Sequence, residues 1–142
     1  MNQKLRIVLS WAAVILCAGV IFYLSHQVAS ESQALSDRFA FLLRLPFGSF
    51  IVRKGAHFLE FAGLCTLILN AFYHTHGKIR PILSVLLTAI YAATDEIHQI
   101  FIEGRACRLF DWFVDCSGAI CAAAVICLTT VIFCKMNRRS LR

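Results

Sequence analysis

Four apolar stretches, each close to the length of a bilayer crossing, restrict this chain to membrane architectures. They run over residues 7–24, 55–73, 81–101 and 112–134, and a crossing helix needs ~20 predominantly apolar residues. In lipid the backbone of such a stretch has no water to bond, so the helix, which closes its hydrogen bonds internally, is the expected form. The sequence therefore predicts an all-α, polytopic membrane protein of four transmembrane helices, forming one domain over residues 1–142. An apolar content of 59 % is too high for a fold that must keep much of its surface in water. The first stretch follows Lys4 and Arg6 like a signal peptide, but Ser25-His26-Gln27 is no small-x-small cleavage site, so it reads as a retained helix.

The breaks between the stretches differ. Residues 74–80 contain Gly77, and Pro81 suits the first position of the next helix. Residues 102–111 hold Gly104. Residues 25–52 are the longest connection, polar from Ser30 to Ser36 and then apolar over 39–47, a run too short to cross. That run predicts an interfacial or re-entrant segment between helices 1 and 2.

Charge orients the spans. Lys4, Arg6, Lys78, Arg80, Lys135, Arg138, Arg139 and Arg142 fall on one face, which carries no acid. Arg38, Arg44, Arg53, Lys54, Arg105 and Arg108 fall on the other, with every Asp and Glu of the chain. Eight against six places the first face, and both termini, in the cytoplasm. The net charge of +6 is thus spread over tails and loops beside membrane spans, where it reads as topology signal and lipid contact rather than a nucleic-acid footprint. Of the seven cysteines, Cys17, Cys65, Cys121, Cys127 and Cys134 fall in spans as small apolar side chains. Only Cys107 and Cys116 lie near the outer face, without a spacing that argues for a disulfide.

Charged side chains within a span cost at least ~2.5 kcal/mol each at a helix centre, so they need a partner or a purpose. Arg53, Lys54, His57 and Glu60 open helix 2; Asp95, Glu96, His98 and Gln99 close helix 3; Asp111 and Asp115 open helix 4. Alternating helix direction brings all three groups to one face, with Glu60 and Asp95 on the order of 10 Å inside it. Arg53, His57 and Glu60 are spaced by four and three and share a helix face. Ser84, Thr88, Ala92, Asp95 and Gln99 form a stripe of the same rhythm, as do Asp111, Asp115, Gly118 and Ala122. Small and weakly polar residues so spaced mark helix–helix contacts in membranes. The charged groups extend those stripes and are predicted to point into the bundle.

The motifs K-x-x-H-F-x-E (Lys54, His57, Phe58, Glu60), D-E-x-H-Q-x-F-x-x-G-R (Asp95, Glu96, His98, Gln99, Phe101, Gly104, Arg105) and D-x-x-x-D-x-x-G-A (Asp111, Asp115, Gly118, Ala119) resemble the VanZ-like family of bacterial membrane proteins. Ser25 and Gln27 fit a Ser-x-Gln associated with it, while Phe61, Glu103 and Cys107 depart from its usual residues. The resemblance covers most of the chain. It implies a four-helix protein of the cell envelope, linked in some members to teicoplanin (glycopeptide) resistance, and it brings no settled reaction.

Two functional classes follow. In the first, Arg53, Lys54, His57, Glu60, Asp95, Glu96, His98, Gln99, Arg105, Asp111 and Asp115 form a binding site for an envelope component: a lipid-linked precursor, a glycopeptide or a partner membrane protein. In the second, Glu60, Asp95, His57 and His98 are catalytic, as acid and base on a lipid-linked head group whose phosphate Arg53, Lys54 and Arg105 hold. No cofactor is established, although His57 with Glu60 and Asp95 with His98 have the i, i+3 spacing that serves a divalent metal. No His-Glu-x-x-His or Gly-x-Ser-x-Gly motif is present. Against both stands a purely structural role, in which the charges pair to hold helices in register, an inefficient glue compared with apolar packing. Three bases (Arg53, Lys54, Arg105) face five acids in the cluster (Glu60, Asp95, Glu96, Asp111, Asp115), so the count predicts protonated carboxylates, charged histidines or a bound cation.

Overall fold

The computed structural model of the chain describes residues 2–42, 44 and 48–140. Five helices follow in order: α1 (Gln3–Ser25), α2 (Ala29–Leu42), α3 (Gly48–His76), α4 (Pro81–Gln99) and α5 (Leu109–Ser140), with no strand among the described residues. The four apolar stretches correspond to α1, α3, α4 and α5. Two of these helices reach well beyond the apolar stretch that announces them. Helix α3 begins at Gly48 rather than Gly55, and α5 runs on to Ser140. Arg53 and Lys54 end the apolar run without ending the helix, since both are good helix formers.

Among the described residues, three helices are long and apolar enough to cross a membrane: Gln3–Ser25, Phe50–His76 and Leu109–Asn137. Helix α4 has 19 residues, but Asp95, Glu96, His98 and Gln99 in its last turns dilute its apolar character. The connection expected to be polar and then interfacial contains α2, which takes in Phe39 to Leu42; Leu43 and residues 45–47 of that expected segment lie outside the described residues. Its burial is confined to Ser36 and Ala40, four apart and facing α3.

Helix α3 is the hub, packing on each of the other four helices. One apolar cluster joins Ile21, Phe61, Leu64, Ile68, Phe72 and Ala92; a second joins Cys65, Leu69, Ala119 and Ala123. The expected stripe on α4 is buried along its whole length, from Ser84 and Thr88 through Ala92 to Asp95 and Gln99. Ser84 and Thr88 bury their hydroxyls by donating to the carbonyls four residues back, at 2.9 and 2.8 Å. Tyr91 donates to the Ala18 carbonyl at 2.6 Å and the Trp112 indole to the Ala89 carbonyl at 3.0 Å. Gly77, with a φ of 72°, closes α3 by bonding back to Tyr73. The bundle's flanks are apolar, with Val8, Ile15, Leu16, Leu128 and Phe133 all exposed. All seven cysteines are free.

Candidate functional site

Antiparallel packing puts the C-terminal ends of α1 and α4, the N-terminal ends of α3 and α5, and all of α2 at one end of the bundle. Lys54, nearly two helical turns into α3, is ion-paired with Asp111 at the start of α5. Asp111 lies inside the first turn of α5, which begins at Leu109, and its carboxylate serves Lys54. One turn deeper, His57 Nδ1 lies 3.4 Å from Asp115 Oδ1, longer than an aligned hydrogen bond. Asp115 is wholly buried, and neither of its oxygens accepts a hydrogen bond among the described residues.

On α4, Asp95 Oδ2 accepts from Ser25 Oγ at 2.7 Å and from Gln99 Nε2 at 3.2 Å. Its other oxygen has no hydrogen bond among the described residues. Glu96 Oε2 accepts the backbone N–H of Arg108 at 2.9 Å. Arg105 is held by carbonyls: its Nε donates to Gln27 at 2.9 Å and its Nη2 lies 3.4 Å from the Leu24 carbonyl. Burial pulls this guanidinium below its ordinary pKa, against the opposing field of Asp95. Arg53 and Glu60 form no hydrogen bond or ion pair among the described residues.

Two cavities, of about 90 and about 100 Å³, adjoin at this end and share Ser32, Arg53, His57 and Arg105 in their walls. The first is completed by Lys54, Gln99, Arg108 and Asp111, with Ala29, Gly104 and Ala106. The second is completed by Ser25, Gln27, Ser36 and Glu60 on its polar side and by Leu24, Leu35 and Ala56 on its apolar side.

Of the residues singled out in the sequence, Arg53, Lys54, His57, Glu60, Gln99, Arg105 and Asp111 line this space. Asp95, Glu96 and Asp115 lie buried behind it, each touching a lining residue. His98 does not line it. Its Nε2 is 3.2 Å from His26 Nδ1, and its ring packs on Phe22 with centroids 4.4 Å apart. His26, for which the sequence offers no partner, thus has one. Asp95 and His98 diverge, so their i, i+3 spacing does not converge on one point, and no three His, Cys, Asp or Glu side chains converge on a metal position among the described residues.

Sequence reasoning left Ser25, Gln27, Ser32, Ser36 and Arg108 out of the site. Ser25 and Gln27 were signalled by the Ser-x-Gln at the end of α1. Ser32 and Ser36 carry the i, i+4 spacing of a helix face, but only the packing of α2 on α3 gives that face a destination.

The fold and this end define a helical, multi-pass membrane protein with a charged, partly buried site. The VanZ/LLP1 family model matches residues 10–133, and the chain belongs to that family. No curated protein and no solved structure matches it.

Proposed function

We propose that this is a cell-envelope protein whose charged end is an outward-facing recognition site, set within the membrane, for an envelope component. One observation carries the reading: all five helices and the 100–108 connection contribute polar groups to the same two cavities, in a bundle with apolar flanks. Structural pairing alone would leave no reason for Arg53 and Glu60 to face that space unpaired.

In this reading α4 is the fourth transmembrane helix. Its 19 residues rise about 28 Å at 1.5 Å each, near the ~30 Å hydrocarbon thickness. Ile82, Leu86, Ile90 and Ile97 give it an exposed apolar side for lipid. Both termini are cytoplasmic, from the Lys and Arg count. A reporter fused after Arg142 is expected to be active only as a cytoplasmic reporter. A tail reachable from outside would reverse the orientation and turn the site inward.

Family membership supports a contribution to teicoplanin resistance, and the test uses that phenotype. In a susceptible host the wild-type chain is expected to raise the teicoplanin concentration needed to stop growth. Glu60→Gln and Asp95→Asn keep side-chain shape while removing charge, so membrane levels should hold and protection should be lost. Glu31→Gln, on the exposed first turn of α2, should protect like wild type. Full protection by both buried variants at normal levels would return the cluster to a structural role.

A second reading, acid–base catalysis on a lipid-linked head group, is favoured by His57, which lines both cavities and has Asp115 behind it.

A further inference from the structure

We infer that the component recognised is the phosphate of a lipid head group, held between Arg53 and Arg105, with the lipid chain leaving past Leu24 and Leu35. This rests on the reading of the charged end as a recognition site and adds the chemistry of its ligand.

The pairing pattern is the first observation. Asp111 is matched with Lys54, Asp115 with His57, Asp95 with Ser25 and Gln99, and Glu96 with a backbone N–H. Three arginines and Glu60 remain, an excess of positive charge among the unpaired side chains. Arg53, Arg105 and Arg108 all line the first cavity, and none is ion-paired with a carboxylate among the described residues. Arg105 is fixed without being neutralised, because two carbonyls engage two of its five N–H donors and supply no charge. Arg53 and Arg105 share both cavities, so an anion between them relieves their repulsion and gains charge-assisted bonds. The planar fork of a guanidinium matches phosphate oxygens.

Size is the second observation. About 10–15 Å³ admits one water, so cavities of about 90 and 100 Å³ take a phosphate-sized group and exclude a whole glycopeptide. Glu60, unpaired in the second cavity, repels an anion that would settle beside it and favours the arginine side.

The third observation separates a lipid from free phosphate. Leu24, Leu35 and Ala56 give the second cavity an apolar wall, for which a bare anion has no use. Leu35 is exposed on α2, and α2 packs on α3 with no comparable contact to α1. The α1–α2 edge therefore offers a lateral way out toward the bilayer.

The test is native mass spectrometry of the delipidated full chain in neutral detergent, with phosphatidic acid, phosphatidylcholine and inorganic phosphate as probes. Phosphatidic acid should bind at least about tenfold more tightly than phosphatidylcholine, and Arg53→Gln should weaken it by roughly tenfold. Arg53 makes no hydrogen bond or ion pair among the described residues, so this variant should fold even if Arg105→Gln does not. Lys78→Gln with Arg80→Gln, at the opposite end, should leave binding unchanged. Displacement of phosphatidic acid by equimolar inorganic phosphate would overturn the lipid source. No effect of Arg53→Gln on phosphatidic acid binding would overturn the phosphate ligand itself. The recognition reading survives either failure if Glu60→Gln still abolishes teicoplanin protection, and falls with it if Glu60→Gln protects fully.

Discussion

Gly118→Ala is expected to destabilise the bundle by about 3 kcal/mol, the upper end for overpacking, and Gly118→Val to prevent assembly. Gly118 lies where α5 crosses α3. A Cβ there would meet the Phe58 carbonyl oxygen, with the Phe58 carbonyl carbon at 3.1 Å and the Ala62 nitrogen at 3.3 Å. All three are backbone atoms of a helix and cannot rotate aside, so the helices themselves must separate. The site would open with them, since Asp111 and Asp115 reach Lys54 and His57 across the same contact. Gly63→Ala in α3 is the control. Nothing lies within 4 Å of its added methyl, and alanine is the better helix former by about 1 kcal/mol. Unfolding by SDS titration should rank Gly63→Ala at or above wild type and Gly118→Ala well below. Equal stability of the two variants would show that α3 and α5 do not approach as closely as described.

The crossing at Gly118 was partly legible beforehand. Asp111, Asp115, Gly118 and Ala122 read as a contact stripe, but a glycine in a stripe does not say which helix it admits. The α4 stripe was legible in full because Ser84, Thr88 and Ala92 are small or weakly polar between larger apolar residues, a contrast that survives in the bare sequence. Helix α2 was not. Its buried positions, Ser36 and Ala40, are small rather than apolar, so its inward face has no hydrophobic period to detect. Its exposed Phe39, Phe41 and Leu42 are the apolar residues that the sequence shows instead.

Counting formal charges says what balance the cluster needs but not which donors serve each carboxylate. Three bases against five acids suggested an excess of negative charge awaiting a proton or a cation. In the fold, a hydroxyl, an amide and a backbone N–H serve Asp95 and Glu96. None of these donors carries a formal charge, so none enters such a count. The base left out of it, Arg108, lines the first cavity beside Arg53 and Arg105. Arg53, Arg105 and Arg108 meet at that cavity without an ion-paired carboxylate, and an anionic ligand beside them would supply one.

Removing His57 alone should produce the largest loss of any single change at this end. Asp115 is wholly buried, its oxygens accept no hydrogen bond among the described residues, and the His57 imidazole is the base within reach. Stripping one partner from a buried pair costs ~3–5 kcal/mol, whereas replacing both with apolar residues is often neutral. His57→Leu is therefore expected to fall in that range. Asp115→Leu should cost less, because an imidazole left alone can remain neutral. The double variant, His57→Leu with Asp115→Leu, should recover most of the loss. Unfolding free energies of the four proteins give the coupling, and simple additivity would mean that the two side chains do not interact. The same four proteins separate lock from function. If the pair only holds α3 to α5, the recovered double variant should regain teicoplanin protection along with its stability. If His57 meets the ligand in the cavities it lines, the double variant should fold, reach the membrane at wild-type levels and still fail to protect.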